Sequence, residues 1–547
     1  MILRWTCATL TLACCATAQT QAPEFAPHIF IESAGPDGWR ARLGPTNVGV
    51  LLASEEGREL WEPVAQPMLD MWSALAGGGE AYREASERLL GYGGTIRVAV
   101  RGNPDGPADV AICFDGDGRT DMAPLAADVE QLLEGMTPGP WQEMDVAGTR
   151  LRVRRDGNDC VTAPMVDGQR MIMLLGDAER LGDATRLAAW IAARPVTLAV
   201  PKPGSPAARM TFDLPALLEA MQAEPEAAFL EAMGFTGLRR LTFTLAAAGP
   251  RVQLGCDVEI DGPPRGVVKA LMPAREGISS LAALLPEQVA ATKIARFDVQ
   301  ALVEGIFAAV TLEDEDARAE IEEELGIDLV DDLFAHATDE LLVLGAPLAD
   351  YDRLREATWS LAWRLKDEAE FRAGYEALLN KAKGFLTKSE TVDVDGVELR
   401  RYGNLTNYDL WMAVGNGVWV ISAGRDAEET AADLLRRAES TDGSAEGKPP
   451  ARFADLARHL PNGFNGFSFV DLDAFAATPV EWWYELADPG ALLIPMLGQR
   501  RRVSDGELDA TEEAVEEARA LLKKNNLSTI RTATGSAGGT WRWRLYW

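Results

Sequence analysis

The stretch FDGDGRTD, Phe114 to Asp121, sets three aspartates and two glycines within eight residues. Carboxylates gathered on a glycine-bearing loop are the chemistry of calcium, which takes hard oxygen ligands and needs glycine where the chain turns sharply. Asp115, Asp117 and Asp121 are therefore the candidate metal ligands. Counted as a calcium loop from Asp115, the series has Asp117 in third place. The fifth residue is Arg119, the sixth is Thr120 where glycine is needed, and the twelfth is Ala126 where a bidentate glutamate is needed. The ligand count falls short. The stretch reads better as a strand-to-helix turn, with Thr120 or Asp121 capping the helix.

No other residues make a stronger case for chemistry. His28, His336 and His459 stand apart, outside HExxH or HxH patterns and without a second ligand three to five residues away, so zinc and iron sites are not indicated. The GxSxG elbow, SxxK and the GxxxxGK[ST] phosphate loop are absent. Cys113 and Cys256 fall on expected strands and Cys160 beside a loop, where a thiol ordinarily packs. The sequence therefore points to no cofactor and no catalytic residue. With 84 aspartates and glutamates, an acid–base pair would be invisible among them. A secreted hydrolase using loop carboxylates remains the alternative to a non-enzymatic protein.

The first residues, MILRWTCATLTLACCATA, combine a basic flank at Arg4, an apolar run from Trp5 to about Ala16 and a small-x-small site at Ala16 to Ala18. This predicts a signal peptide over residues 1–18 and an exported, periplasmic or extracellular, protein. Cys15 follows an apolar run as a lipid-anchored cysteine would, but the residue before it is Cys14 instead of a small one. Beyond the leader three widely spaced cysteines remain, which is neither a disulfide framework nor a CxxC metal site. One disulfide with a free thiol and three thiols are both compatible with that spacing. No later apolar run reaches the length of a membrane span. A net charge of −31 repels nucleic acid and anionic membranes. The expected partner is a protein or envelope component, in a binding or envelope-associated structural role, with a carrier of lipid or hydrophobic peptide as a further alternative.

The elements that must position any site repeat along the chain. TFDLPALLEAM from Thr211, RFDVQALVEGI from Arg296 and FVDLDAFAAT from Phe469 each read as a strand ending in an aspartate that caps a helix. Asp213, Asp298 and Asp471 are the predicted caps. A weaker version starts at Val48, with Ser54 as its cap. Longer stretches also pair. MDVAGTRLRVRR (Met144 to Arg155) parallels VDVDGVELRRYG (Val392 to Gly403), and Val166 to Trp190 parallels Val414 to Ala438. Leu238 to Ile260 parallels Leu527 to Trp547 in the same way. This order predicts an α+β fold of two tandem duplicated units, residues 40–290 and 291–547, after a lead segment 19–39. In each, an antiparallel sheet is expected to pack one face on amphipathic helices. The Ser/Gly/Pro-rich stretch 440–451 reads as a flexible loop inside the second unit.

The repeated caps, the leader and ELGIDLVDDLFAHATDELLVLG, Glu324 to Gly345, resemble a family of large secreted bacterial proteins known only as a domain of unknown function. The resemblance implies the repeated α+β architecture and an extracytoplasmic address, and supplies no site residue. Trp482, Trp483 and Tyr484 read as packing aromatics. The closing WRWRLYW has the alternation of an outer-membrane barrel strand. A barrel needs many strands of about ten residues, and the charged amphipathic helices favour a packed Trp row instead. From the failed ligand count, calcium titration is expected to leave the melting temperature unchanged. A saturable stabilisation that Asp117→Ala abolishes would refute this.

Overall fold

Alternating apolar and polar residues build the strands of this chain, and Asp-Gly and Asn-Gly pairs turn them. Asp395 and Gly396 both take positive φ, 53° and 85°, as do Asn416 and Gly417 at 54° and 69°. Each pair closes a two-residue hairpin, a conformation open to Asn, Asp and Gly at low cost. The computed structural model describes residues 26–57 and, with short gaps, 89–345, 357–440, 464–476 and 516–547. Residues 1–18, His459, Trp482, Trp483, Tyr484 and 441–451 lie outside the described residues. The chain divides into two compact units, one comprising residues up to 227 with 238–260, the other chiefly 228–237 with 261–545. Both are α+β, with wholly antiparallel strand pairing among the registers described.

In the first unit the strands are β1 Ile29–Ala34, β2 Thr95–Arg101, β3 Asp109–Asp115, β4 Gln142–Val146, β5 Thr149–Asp156, β6 Asp159–Thr162, β7 Met165–Asp167, β8 Arg170–Asp177, β9 Pro206–Asp213, β10 Leu238–Ala248 and β11 Arg251–Ile260. Their order across the sheet is β4–β5–β6–β8–β3–β2–β1–β9–β10–β11, with β7 also pairing β8. β1 lies within the segment 19–39 and is an interior strand. Val48 does not begin a strand: Asn47–Ala53 is a helix capped by Thr46, and Ser54 follows it, accepting from Gly57 N at 3.0 Å.

Helices cover both faces of β3 and β8, where the sequence suggested one. Phe114, Met171 and Met173 meet Met122, Leu125 and Val129 of the helix Met122–Met136. Ala111, Cys113 and Leu174 meet Leu181, Ala184, Leu187 and Ile191 of the helix Leu181–Ala192. Successive residues of a strand point to opposite faces, so a strand buried on both faces needs apolar residues at nearly every position. AICF in β3 and MIMLL in β8 are such runs.

The second unit holds β12 Ala291–Arg296, β13 Ala337–Gly345, β14 Trp359–Leu365, β15 Ser389–Val394, β16 Val397–Tyr402, β17 Leu410–Gly415, β18 Val418–Ala423, β19 Phe464–Asp471, β20 Thr529–Ala537 and β21 Thr540–Tyr546. Its order is β15–β16–β17–β18–β14–β13–β12–β19–β20. On one face Trp363, Phe371, Tyr375 and Trp419 cluster with ring centroids 5.4–6.4 Å apart, joining the sheet to the helix Glu368–Ala382. On the other the helix Ala427–Glu439 buries Ala431, Leu434 and Leu435. Gly326 ends the helix Ala317–Leu325 with φ 73°, the left-handed cap that glycine takes most readily. Among the described residues no helix is long and apolar enough to cross a membrane.

One charge cluster is buried in the first unit. Arg97, with no exposed side-chain surface, donates from Nε to Asp115 Oδ2 at 2.6 Å and from Nη2 to Oδ1 at 2.9 Å, and Arg170 Nε reaches Oδ1 at 2.8 Å. Burial alone would push the Asp115 carboxyl upward; the two guanidiniums reverse this and hold it below the usual carboxylate value. The resulting stability is present above the unfolded carboxylate value and is lost as pH falls through the lower folded one. Removing the carboxylate leaves buried guanidinium charge uncompensated. Asp115→Ala is expected to lower the unfolding free energy by about 3–5 kcal/mol, measured by urea denaturation near neutral pH. A loss below about 1 kcal/mol, the scale of an exposed pair, would show the cluster to be dispensable.

Candidate functional site

The aspartates of FDGDGRTD are each engaged within the protein. Asp115 faces inward and is shared by Arg97 and Arg170, whose positive charge opposes a cation. Asp117 Oδ1 accepts from Arg119 N at 2.8 Å, Thr120 N at 2.9 Å and Thr120 Oγ1 at 3.1 Å. Asp121 caps the Met122 helix through Ala123 N at 3.1 Å. No group of three or more metal-ligating side chains forms among the described residues. The loop turns a strand into a helix, as Asp367 does in the second unit by accepting from Ala369 N and Glu370 N.

The three predicted caps bond to helix N–H groups. Asp213 Oδ1 accepts from Ala216 N at 3.2 Å, Asp298 from Ala301 N at 3.0 Å, and Asp471 from Asp473 N and Ala474 N at 3.1 and 3.2 Å. Cys113, Cys160 and Cys256 are buried and form no disulfide, and Cys160 lies on β6 beside the turn at 157–158. Burial, reinforced by Asp115, pushes Cys113 up to about 12, and burial pushes Cys160 up to about 11. Neither supplies a thiolate at neutral pH.

A cleft of 680 Å³ in the first unit gathers residues that no local motif announced. Its floor is one face of β1, β9, β10 and β11, read in three cross-strand rows. Phe30, Thr211, Thr242 and Asp257 form one row. Glu32, Arg209, Thr244 and Gly255 form the second, and Asp213, Arg240 and Glu259 the third. Its wall is the end of the Leu181 helix and the chain after it: Trp190, Arg194, Pro195 and Thr197. Arg97 Nη1 donates to Ile191 O at 2.8 Å and to Arg194 O at 3.0 Å, so the buried charge cluster fixes where that helix ends. Phe30 meets Trp190 edge-on at 5.2 Å, and the Arg194 guanidinium lies 3.5 Å from the Trp190 ring centroid.

Most charges of the cleft are already used. The buried Glu32 accepts from Thr197 N at 2.6 Å and Leu198 N at 3.2 Å on Oε1 and from the Thr197 hydroxyl on Oε2. Arg240 pairs with Glu259 at 3.0 Å, and Asp213 is a helix cap. Arg209, half-buried on β9, makes no hydrogen bond or ion pair among the described residues. Alternation in RMTFD would have placed Arg209, Thr211 and Asp213 on one face; only the long-range pairing shows that β1 and β10 extend that face with Glu32 and Thr244.

A second cleft, of 480 Å³, lies in the other unit between Leu284, Pro286, Val289, Leu344 and the Ala427 helix. Its rim is a set of mutually paired charges, Asp433 with Arg436 at 2.9 Å and with Arg437 at 3.6 Å. Thr358 and Ser360 on its wall are engaged with Asp426 N and Ser422. It presents less unused polarity than the first.

His28, at the head of β1 beside the cleft, is buried and accepts from Gly102 N on Nδ1 at 3.1 Å. Burial, aided by Arg101, lowers its pKa to about 4. A base whose folded pKa is depressed stays neutral in the fold while the unfolded chain takes up a proton, so stability falls as pH drops from about 6.5 towards that value. Between about pH 7.5 and about pH 4.5 the parent is expected to lose up to about 3 kcal/mol more than His28→Gln. Parallel denaturation curves at the two pH values check this; equal losses would mean that His28 does not carry the effect.

No protein-family model and no curated protein matches the chain. Among solved structures the chain is similar to crystal forms III, IV and I of TP0453, at 6%, 8% and 6% identity and TM-scores of 0.21, 0.22 and 0.20. The matches cover 44%, 43% and 43% of this chain and 81%, 77% and 75% of those chains.

Proposed function

We propose that this chain is an exported, non-enzymatic binding protein, built by tandem duplication, whose small-molecule site is the cleft of the first unit. The duplication is supported by strand order. Substituting β12, β13, β14, β15, β16, β17, β18, β19 and β20 for β1, β2, β3, β4, β5, β6, β8, β9 and β10 turns one sheet order into the other. The paired sequence segments fall on these matching strands. Export rests on the leader-like residues 1–18, and the same features support membership of the secreted family that the sequence resembles.

One observation carries the binding reading. The cleft has the 300–1,000 Å³ scale of ligand pockets, an apolar wall of Phe30, Trp190 and Pro195, and a polar floor on which Arg209 has no partner among the described residues. Its acids Glu32, Asp213 and Glu259 are held by backbone, hydroxyl or guanidinium groups. An acid–base pair for hydrolysis needs two carboxylates at the reacting bond, so this arrangement favours binding.

Native mass spectrometry of the full chain from the exporting cell tests the reading. The expected result is an added small-molecule mass that disappears in Thr242→Trp, which fills the floor. An unchanged adduct in that variant would move the site elsewhere, and no adduct with turnover of an ester or glycoside lost in Asp257→Asn would make the protein a hydrolase.

A further inference from the structure

We infer that the ligand of this cleft is a singly charged oxyanion on an apolar body, its charge held by Arg209 and the hydroxyls of Thr211, Thr242 and Thr244. The inference rests on the binding reading and names the ligand class for it. Glu32 stands directly across from Arg209 on β1, yet both its oxygens are taken by Thr197 and Leu198. Of the three arginines lining the cleft, Arg240 is ion-paired with Glu259 and Arg194 lies over the Trp190 ring, whereas Arg209 has neither an ion pair nor a ring partner among the described residues. That planar fork matches a carboxylate or phosphate edge, and such charge-assisted bonds are the stronger class.

The neighbours complete the oxyanion site. Thr244 is the cross-strand partner of Arg209, and Thr242 is that of Thr211, which lies two residues along β9 on the same face. Side chains so paired stand about 5 Å apart, so an oxyanion above the four meets one guanidinium and three hydroxyl donors. Gly255, opposite Thr244, leaves the space beyond it free of a side chain. The rest of the ligand meets Phe30, Trp190, Pro27 and Pro195, an apolar wall. Asp213, Asp257 and Glu259 on the same floor disfavour a second negative charge, which excludes polyphosphates and dicarboxylates.

Calorimetric titration of the full chain with octanoate, octyl sulfate and octanol, two singly charged oxyanions and their neutral counterpart, tests the class. Octanoate or octyl sulfate is expected to bind at one site, the tighter of the two identifying the oxyanion, with octanol weaker by about tenfold or more. Arg209→Gln should reduce both anions to the octanol level while leaving octanol unchanged; Arg209→Lys should retain part of the difference, and Thr244→Val should cost less than Arg209→Gln. The melting temperatures of the variants show whether each is folded. If Arg209→Gln unfolds, Arg209→Lys and Thr211→Val carry the test. Octanol binding as tightly as the anions, with Thr242→Trp abolishing both, would overturn the oxyanion and leave the cleft a ligand site. Anion binding that survives both Arg209→Lys and Thr211→Val at full strength would overturn it equally, and binding of none of the three probes would overturn this ligand class.

Discussion

The carboxylate of Asp115 is shared between two arginines in the interior of the first unit, and the cleft is built outward from that sharing. Arg97 uses Nε and Nη2 on Asp115, which frees Nη1 for the last carbonyls of the Leu181 helix. Arg170 adds a 3.4 Å bond to Ala192 O. The orphan carbonyls that every helix leaves at its C-terminus are therefore met by cations that a buried anion holds in place. Three apolar side chains of similar volume could bind sheet to helix as firmly. They could not fix the residue at which the helix stops, and that residue decides where Trp190 and Arg194 stand.

From that stop the chain is pinned twice more. Arg42 donates to Leu198 O, and Glu32 receives the Thr197 and Leu198 amides. The wall of the cleft is thus tied to the floor by bonds to buried charged groups, which keep full strength away from water. The second unit solves the same packing problem with other chemistry. Its strand β14 carries Trp363 into a four-ring cluster, and the carbonyl of Leu435 near the end of the Ala427 helix is met by Asn416 Nδ2 at 3.0 Å. Its buried acid, Glu340, sits on β13 and is satisfied by Ser279 Oγ, Ser280 and Arg296. A shared strand order leaves the side chains free to diverge.

Local signals were legible and long-range ones were not. Gly148, the Asp395-Gly396 and Asn416-Gly417 turns, and the caps at Asp213, Asp298 and Asp471 depend on bonds within a few residues. β1 lacks such a signal, and the sequence alone does not separate it from the lead segment: it enters its helix through Gly35 and Pro36, with no side-chain cap. The cap motif aligned Asp298 with Asp213, which sets the first strand of one unit beside the ninth of the other, since any strand running into a helix can use an aspartate. Asp115 and Asp117 share a loop but face opposite environments, and that depends on where β3 ends. The clue that existed was Arg97. It occupies an inward position of β2, in register with Cys113 of β3, and a buried arginine requires an acid within reach.

The cleft follows from the two faces of β9 and β10. On the far face Phe212 and Phe243 meet edge-on at 6.0 Å, and apolar residues fill the alternating positions. On the near face the alternation supplies Arg209, Thr211, Arg240, Thr242 and Thr244, a polar surface that gains nothing from being covered by an apolar helix. The Leu181 helix covers β3 and β8, whose near face is apolar, and stops before this surface. A polar floor beside an abrupt helix end is a concavity by construction. Arg209, half-buried on this floor, has no hydrogen bond or ion pair among the described residues, and a half-buried cation without an anion loses hydration. An oxyanion there would offset that loss through charge-assisted hydrogen bonds, and this is the physical basis of the site proposed at Arg209.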